Sequence, residues 1–135
     1  MRFLDRLQPL GLLVLRLALG VVFVAHGWQK IADHLHGITG MLAHLGIPPW
    51  MAYLVAAAEF GGGILVLIGF LARLGALAIF IDMLVAVLKV HLHNGLFLQN
   101  KGFEFPMMCG GAAFLLIFTG AGPIAMDALW GGRGR

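Results

Sequence analysis

Glu59 stands in the middle of an otherwise apolar run, Trp50 to Phe70, and Gly61, Gly62 and Gly63 follow it closely. A carboxylate in such surroundings is costly unless it is neutralised, paired or facing a polar cavity, so Glu59 marks a site of function or assembly. Other ionisable side chains fall at helical spacings. His26 and Lys30 are four apart, Lys89 and His93 are four apart, and Asp82 precedes Lys89 by seven, which places each set on one helical face. Lysine can hold an anion or polarise a carbonyl, and histidine can move protons near neutral pH. With Glu59, this combination suits a quinone head group, whose reduction needs a proton at each oxygen, and it also suits a small oxyanion. The sequence therefore nominates Glu59, His26, Lys89 and His93 as catalytic or proton-transferring groups. Arg16, Lys30, Asp82 and Glu104 are nominated to hold the bound molecule.

The elements that carry these residues are set by composition. A chain of 135 residues with 61% hydrophobic and 11% charged side chains cannot present an ordinary soluble surface. Four apolar stretches of helical type predict membrane spans: Leu10 to Ile31, Trp50 to Phe70, Leu74 to Leu92, and Phe105 to about Ala121. Their continuous Leu, Val, Ala and Ile content lacks the alternation of an outer-membrane barrel. The expected fold is all-α, a single integral membrane domain forming a four-helix bundle over residues 1–135. No internal repeat stands out.

Arg2, Arg6, Arg73, Arg133 and Arg135 fall on one side of these spans, while Lys30 and Lys101 fall on the other. Positive residues favour the cytoplasmic side, so both termini are expected in the cytoplasm. The first apolar stretch is longer than a signal-peptide core and lacks a small-x-small cleavage site, which reads as a retained helix. The connection from Asp33 to Pro49, with His34, His36 and His44, is expected outside the membrane. Trp28, Trp50 and Trp130 suit the headgroup region. The basic C-terminal tail suits anionic lipid rather than nucleic acid.

Depth along the spans sorts the polar residues into layers. Arg16, Asp82 and Glu59 lie about six, eight and ten residues inside their helices, or ~9 to 15 Å from a membrane face at ~1.5 Å per residue. They could form one mid-membrane network. Arg16, His26 and Lys30 fall within a sector of about 80° on their helix. Glu104, at the entrance of the last helix, would complete an outer, electropositive layer. A structural alternative pairs these charges only for assembly, with Arg16, Lys30 and Lys89 snorkelling to the headgroups.

No metal site is expected. His91 and His93, two apart on a helix, would point about 160° from one another, and His34-x-His36 has only Asp33 beside it. The single Cys109 excludes both an internal disulfide and a two-thiol relay. The chain also lacks a dinucleotide fingerprint, an iron–sulfur cysteine cluster and a haem-attachment motif, so no intrinsic NAD, flavin, iron–sulfur or haem group is expected.

Several segments, in their order and spacing, resemble the DoxX family of bacterial membrane proteins. They are Arg16-Leu17-Ala18-Leu19-Gly20, His26-Gly27-Trp28-Gln29-Lys30, Glu59-Phe60-Gly61-Gly62-Gly63, Gly69-Phe70-Leu71-Ala72-Arg73 and Gly102-Phe103-Glu104-Phe105. The resemblance implies a four-helix protein of the bacterial inner membrane. Some relatives look like the membrane subunit of thiosulfate:quinone oxidoreductase, others like an anchor for an oxidoreductase complex handling oxidative and thiol stress. It directs attention to Arg16, Lys30, Glu59, Arg73 and Glu104; Arg73, at a cytoplasmic turn, reads as a topology anchor.

The leading expectation is a quinone- or small-molecule-binding accessory subunit of a membrane oxidoreductase system, in contact with the lipid bilayer and with a soluble oxidoreductase partner. Two others stand beside it. One is a small anion or metabolite transporter, for which four helices would need to form a homo-oligomer. The other is a non-catalytic scaffold, in keeping with Gly61 to Gly63 and Gly110-Gly111, which permit close helix approach.

Overall fold

The computed structural model describes residues 2–130, and Arg133 and Arg135 lie outside the described residues. After a helical turn at Arg2–Asp5, the first long helix, α1, runs from Gln8 to Ala32, with a proline in its first turn, where its missing N–H costs no hydrogen bond. Helix α2 is His36–His44, α3 is Pro49–Ile68, α4 is Ala72–Asn94, α5 is Glu104–Thr119 and α6 is Met126–Trp130. The described residues contain no strand. The protein is an all-α membrane helical bundle.

Helices α1, α3 and α4 have 25, 20 and 23 residues and are apolar enough to cross a bilayer. α5 is also apolar but has 16 residues, which at ~1.5 Å each falls short of the ~30 Å hydrocarbon thickness. Expected to reach about Ala121, it stops at Thr119, where Gly120 takes a φ of +71°. Leu10, Val14, Leu17 and Val21 on α1, and Leu74, Leu77, Ile81 and Leu84 on α4, remain exposed outside the bundle. In water such faces would be untenable; here they are the surface offered to lipid.

Inside, Leu19 and Phe23 of α1 meet Val66 of α3, Ile79 of α4 and Leu116 of α5 in one apolar core. Close approach rather than bulk holds α1 to α3. A Cβ on Gly63 would stand 2.8 Å from the backbone nitrogen of Val24, and one on Gly27 would collide with the backbone of Phe60. Between helices already surrounded by apolar lipid there is no hydrophobic drive to association, so backbone proximity of this kind supplies the packing energy.

The connection from Asp33 to Pro49 is more than an external loop. His34 and Leu35 turn the chain with left-handed φ values of 50° and 62°, and Asp33 Oδ2 then accepts the N–H of Gly37 at 3.1 Å to start α2. α2 folds back over the bundle and buries Ile38 and Leu42 against Ala52. Both α3 and α4 contain a stretch of wide, π-type turn, at Ala57–Gly61 and Ala86–His91. Such turns are often found at functional sites.

The described ends of the chain lie together. Arg16 reaches Ala121, and α6 is tied to the turn between α3 and α4 through the N–H of Asp127, which donates to Gly69 O at 2.8 Å. α2 and the loop before α5 occupy the opposite end.

Candidate functional site

At the α2 end the helices part around a cavity of about 770 Å³, roofed by Ile38, Met41 and Leu42 of α2 and otherwise mostly apolar. Its polar groups come from several elements. Lys30 of α1 donates from Nζ to Glu59 Oε2 of α3 at 2.6 Å, and Glu59 is 5% exposed. Asp82 of α4, half-buried, faces the same space close enough to interact with both. Lys30, Glu59 and Asp82 thus set one ammonium against two carboxyl groups in an apolar enclosure. The sequence nominated all three, and the fold brings them together.

His26 also lines the cavity, its ring 6.0 Å from that of Phe105 across the gap between α1 and α5. Lys89 and His93 do not line it. The expectation that they share a face with Asp82 assumed an unbroken α-helix. The wide turn at Ala86–His91 adds a residue, which at ~100° per residue swings the rest of α4 away from that face. Lys89 and His93 are therefore exposed, and His91 and Asn94 take their places on the cavity wall. His91 Nδ1 lies 2.7 Å from Lys101 O, and Asn94 Nδ2 donates to the same oxygen at 3.1 Å. A carbonyl oxygen can only accept, so Nδ1 of His91 carries the hydrogen and Nε2 is left to serve as a proton acceptor.

Two further nominated residues do not reach the cavity. Glu104 Oε1 accepts the backbone N–H of Leu98 at 2.6 Å and closes the loop ahead of α5. Arg16 forms no network with Glu59 and Asp82. It is 2% exposed at the far end of the bundle, where it donates to four backbone carbonyls. Nε bonds Val66 O at 3.1 Å, Nη2 bonds Leu67 O at 3.1 Å, and Nη1 bonds Ala121 O at 2.9 Å and Ile124 O at 2.6 Å. The last carbonyls of α3 have no partner within their helix, and a guanidinium fork can satisfy several such groups at once. Arg16 is a clasp between helix ends.

Sequence reasoning missed Gln29, Asp33, His91, Asn94 and Lys101 as cavity residues, and Asp127 as the second half of the clasp. Asp127 accepts the N–H groups of Leu71 and Ala72, at 2.8 and 3.1 Å, and caps α4. An acid following the last span was the available signal for Asp127. For His91 there was none, because no local pattern announces a π-type turn. Among the described residues no three metal-ligating side chains converge, and the rings of His34 and His36 stand 6.3 Å apart outside the cavity.

A bundle of apolar helices with a cavity carrying polar groups at one end defines a small integral membrane protein with a ligand-sized chamber. The family model described as DoxX matches residues 11–92, and the chain belongs to the DoxX family. It is 31% identical over 126 residues to Inner membrane protein YqjF of Escherichia coli, covering 93% of this chain and 96% of that one. It is 30% identical over 118 residues to the Bacillus subtilis protein named "Putative oxidoreductase CatD", covering 87% and 85%. Uncharacterized membrane protein Rv3486 of Mycobacterium tuberculosis is 32% identical over 139 residues, covering 99% and 82%. No solved structure matches the chain.

Proposed function

We propose that this protein is the membrane-embedded accessory subunit of an oxidoreductase system and holds the ring of a quinone, or a small molecule of similar shape, in the chamber under α2. The observation that carries this reading is the Lys30–Glu59 ion pair, with Asp82 beside it, facing an apolar cavity of about 770 Å³. Ligand sites commonly measure ~300 to 1,000 Å³ and combine apolar walls with a few convergent polar groups. Lys30 can donate to one ring oxygen, Glu59 or Asp82 can pass a proton to it, and Nε2 of His91 can take or return protons at the outer rim. A soluble oxidoreductase bound to the membrane domain supplies the electrons, a role in keeping with the name "Putative oxidoreductase CatD" of the Bacillus subtilis relative. The termini and the Arg16 clasp face the cytoplasm, and the chamber faces outward, following the distribution of arginine.

The transporter reading has less support. Phe23, Val66, Ile79 and Leu116 pack against one another in the apolar core between the bundle's two ends.

Titration of the purified protein with a quinone, followed by quenching of tryptophan fluorescence, tests the proposal. Glu59→Gln and Asp82→Asn are expected to weaken binding by about tenfold or more, the loss of one hydrogen bond to a charged group. Lys89→Met should leave it unchanged. Equal binding by all four proteins would overturn the assignment.

A further inference from the structure

The walls of the chamber are unequal. α1 packs along α3, α3 along α4 and α4 along α5, but α1 and α5 meet only sparsely. The ring of helices is therefore open along one seam. At the clasp end this seam is closed by Arg16, whose Nη1 holds Ala121 and Ile124. At the chamber end it is spanned by a single aromatic contact, His26 against Phe105 at 6.0 Å. Both side chains are exposed and both line the cavity, so the wall at this seam is one ring deep.

The other approaches are polar: Gln29, Asp33, Asn94 and Lys101 line the cavity and are exposed. The roof is helical and apolar, with Ile38 and Leu42 buried beneath it. On the α4 side, Lys101 O is bonded by both His91 and Asn94, which ties the loop before α5 to the end of α4. A water-soluble solute would enter past these exposed polar groups. A lipid-dissolved molecule arriving through the bilayer would meet only two ring side chains, which need rotate and make no hydrogen bond to one another. One turn from Phe105, Met108 is 70% exposed and extends the apolar lining of the seam outward.

We infer that the chamber is filled from within the bilayer, by a lipid-soluble ring compound that passes between α1 and α5, through the His26–Phe105 gate, and leaves an apolar tail in the seam. This rests on the proposed quinone-type reading of the chamber and adds the route and the tail. Lys30, Glu59 and Asp82 then meet the ring, while the tail stays in surroundings as apolar as the lipid it came from. The tail contributes local concentration rather than specificity, since its partition into the membrane presents the ring at the depth of the gate.

The test locks the gate. His26→Cys and Phe105→Cys are introduced together in a Cys109→Ala background, and oxidation joins α1 to α5. Binding rates are measured in lipid nanodiscs for a benzoquinone bearing a decyl tail and for the same ring bearing only a methyl group. The oxidised protein should take up the tailed compound at least about tenfold more slowly, the methyl compound should change by less than about twofold, and reduction of the disulfide should restore the tailed compound. Should the lock fail to form, His26→Ala with Phe105→Ala is expected to speed entry of the tailed compound selectively. Unaltered entry of the tailed compound in both variants, or equal slowing of both compounds in the locked one, would overturn the seam as the route. Failure of the unaltered protein to bind either compound would overturn the quinone reading itself, and the tailed ligand with it.

Discussion

The two ends of the bundle each bury charge, and they dispose of it differently. At the clasp end Arg16 is satisfied by four backbone carbonyls and Asp127 by two backbone N–H groups, held by helix ends and by the turn between α5 and α6. At the chamber end Lys30 is paired with one side chain, Glu59, beside open volume and a further carboxyl on Asp82. Backbone partners cannot be exchanged without disrupting the helix ends and the turn they belong to. Side-chain partners next to a cavity can turn toward an incoming molecule. Buried charge in a membrane is thus evidence of function chiefly where its partner is free to change.

The first way to break this comparison is Arg16→Met, which leaves the last carbonyls of α3 and those of Ala121 and Ile124 unpaired. Hydrogen bonds from a charged group are worth ~1.5 to 3 kcal/mol each, so losing several should cost about 4 kcal/mol or more and lower thermal stability in detergent sharply. Arg16→Lys should recover only part of this, because a single ammonium cannot span the four acceptors. An Arg16→Met protein of normal stability that had lost quinone binding would reverse the roles assigned to the two ends.

A smaller loss is expected from Gly69→Ala. Gly69 has a φ of +71°, and a Cβ there would stand 2.6 Å from Ala125 Cβ and 2.7 Å from Arg16 Nη2. Left-handed strain and displacement of the clasp together should cost about 1 to 3 kcal/mol, measurable in the same melting assay, with ligand affinity retained.

Lys30→Met sharpens the contrast, since it leaves Glu59 buried without its cation. A destabilisation of about 1 to 3 kcal/mol is expected, moderated because Lys30 is partly open to the cavity. Adding Glu59→Gln should restore stability but not ligand binding. Recovery of both would make the pair an assembly device like the clasp. The smallest effect is expected from Lys89→Met, under about 0.5 kcal/mol and without a change in affinity, because the side chain is exposed and away from the cavity.

Much of the fold could be read from the chain, because a span needs only an apolar run of sufficient length and a bilayer rewards nothing else. The turn at Gly69-Phe70-Leu71 and the starts of the long helices follow from glycine and proline. α2 was harder to see. His36–His44 begins and ends on histidine, with His34 just before it, and only Ile38 and Leu42 anchor it inward. Of the candidate site, Glu59, Lys30, Asp82 and His26 were legible as ionisable groups at depth, since their cost in lipid is a property of residue type and position. His91 was not, because its place on the cavity wall depends on a wide turn that four-residue spacing does not anticipate.

The sequence alone determined that this chain lives in a membrane as an all-α bundle, and that it carries charges which lipid would not tolerate unpaired. Only the tertiary structure decided which partner each charge took. Arg16 found carbonyls some hundred residues further along the chain, at Ala121 and Ile124, instead of the acids at similar depth. Pairing depends on how each helix is rotated about its axis and where its turns widen, and those are set by the close contacts of glycine-bearing faces with neighbouring helices.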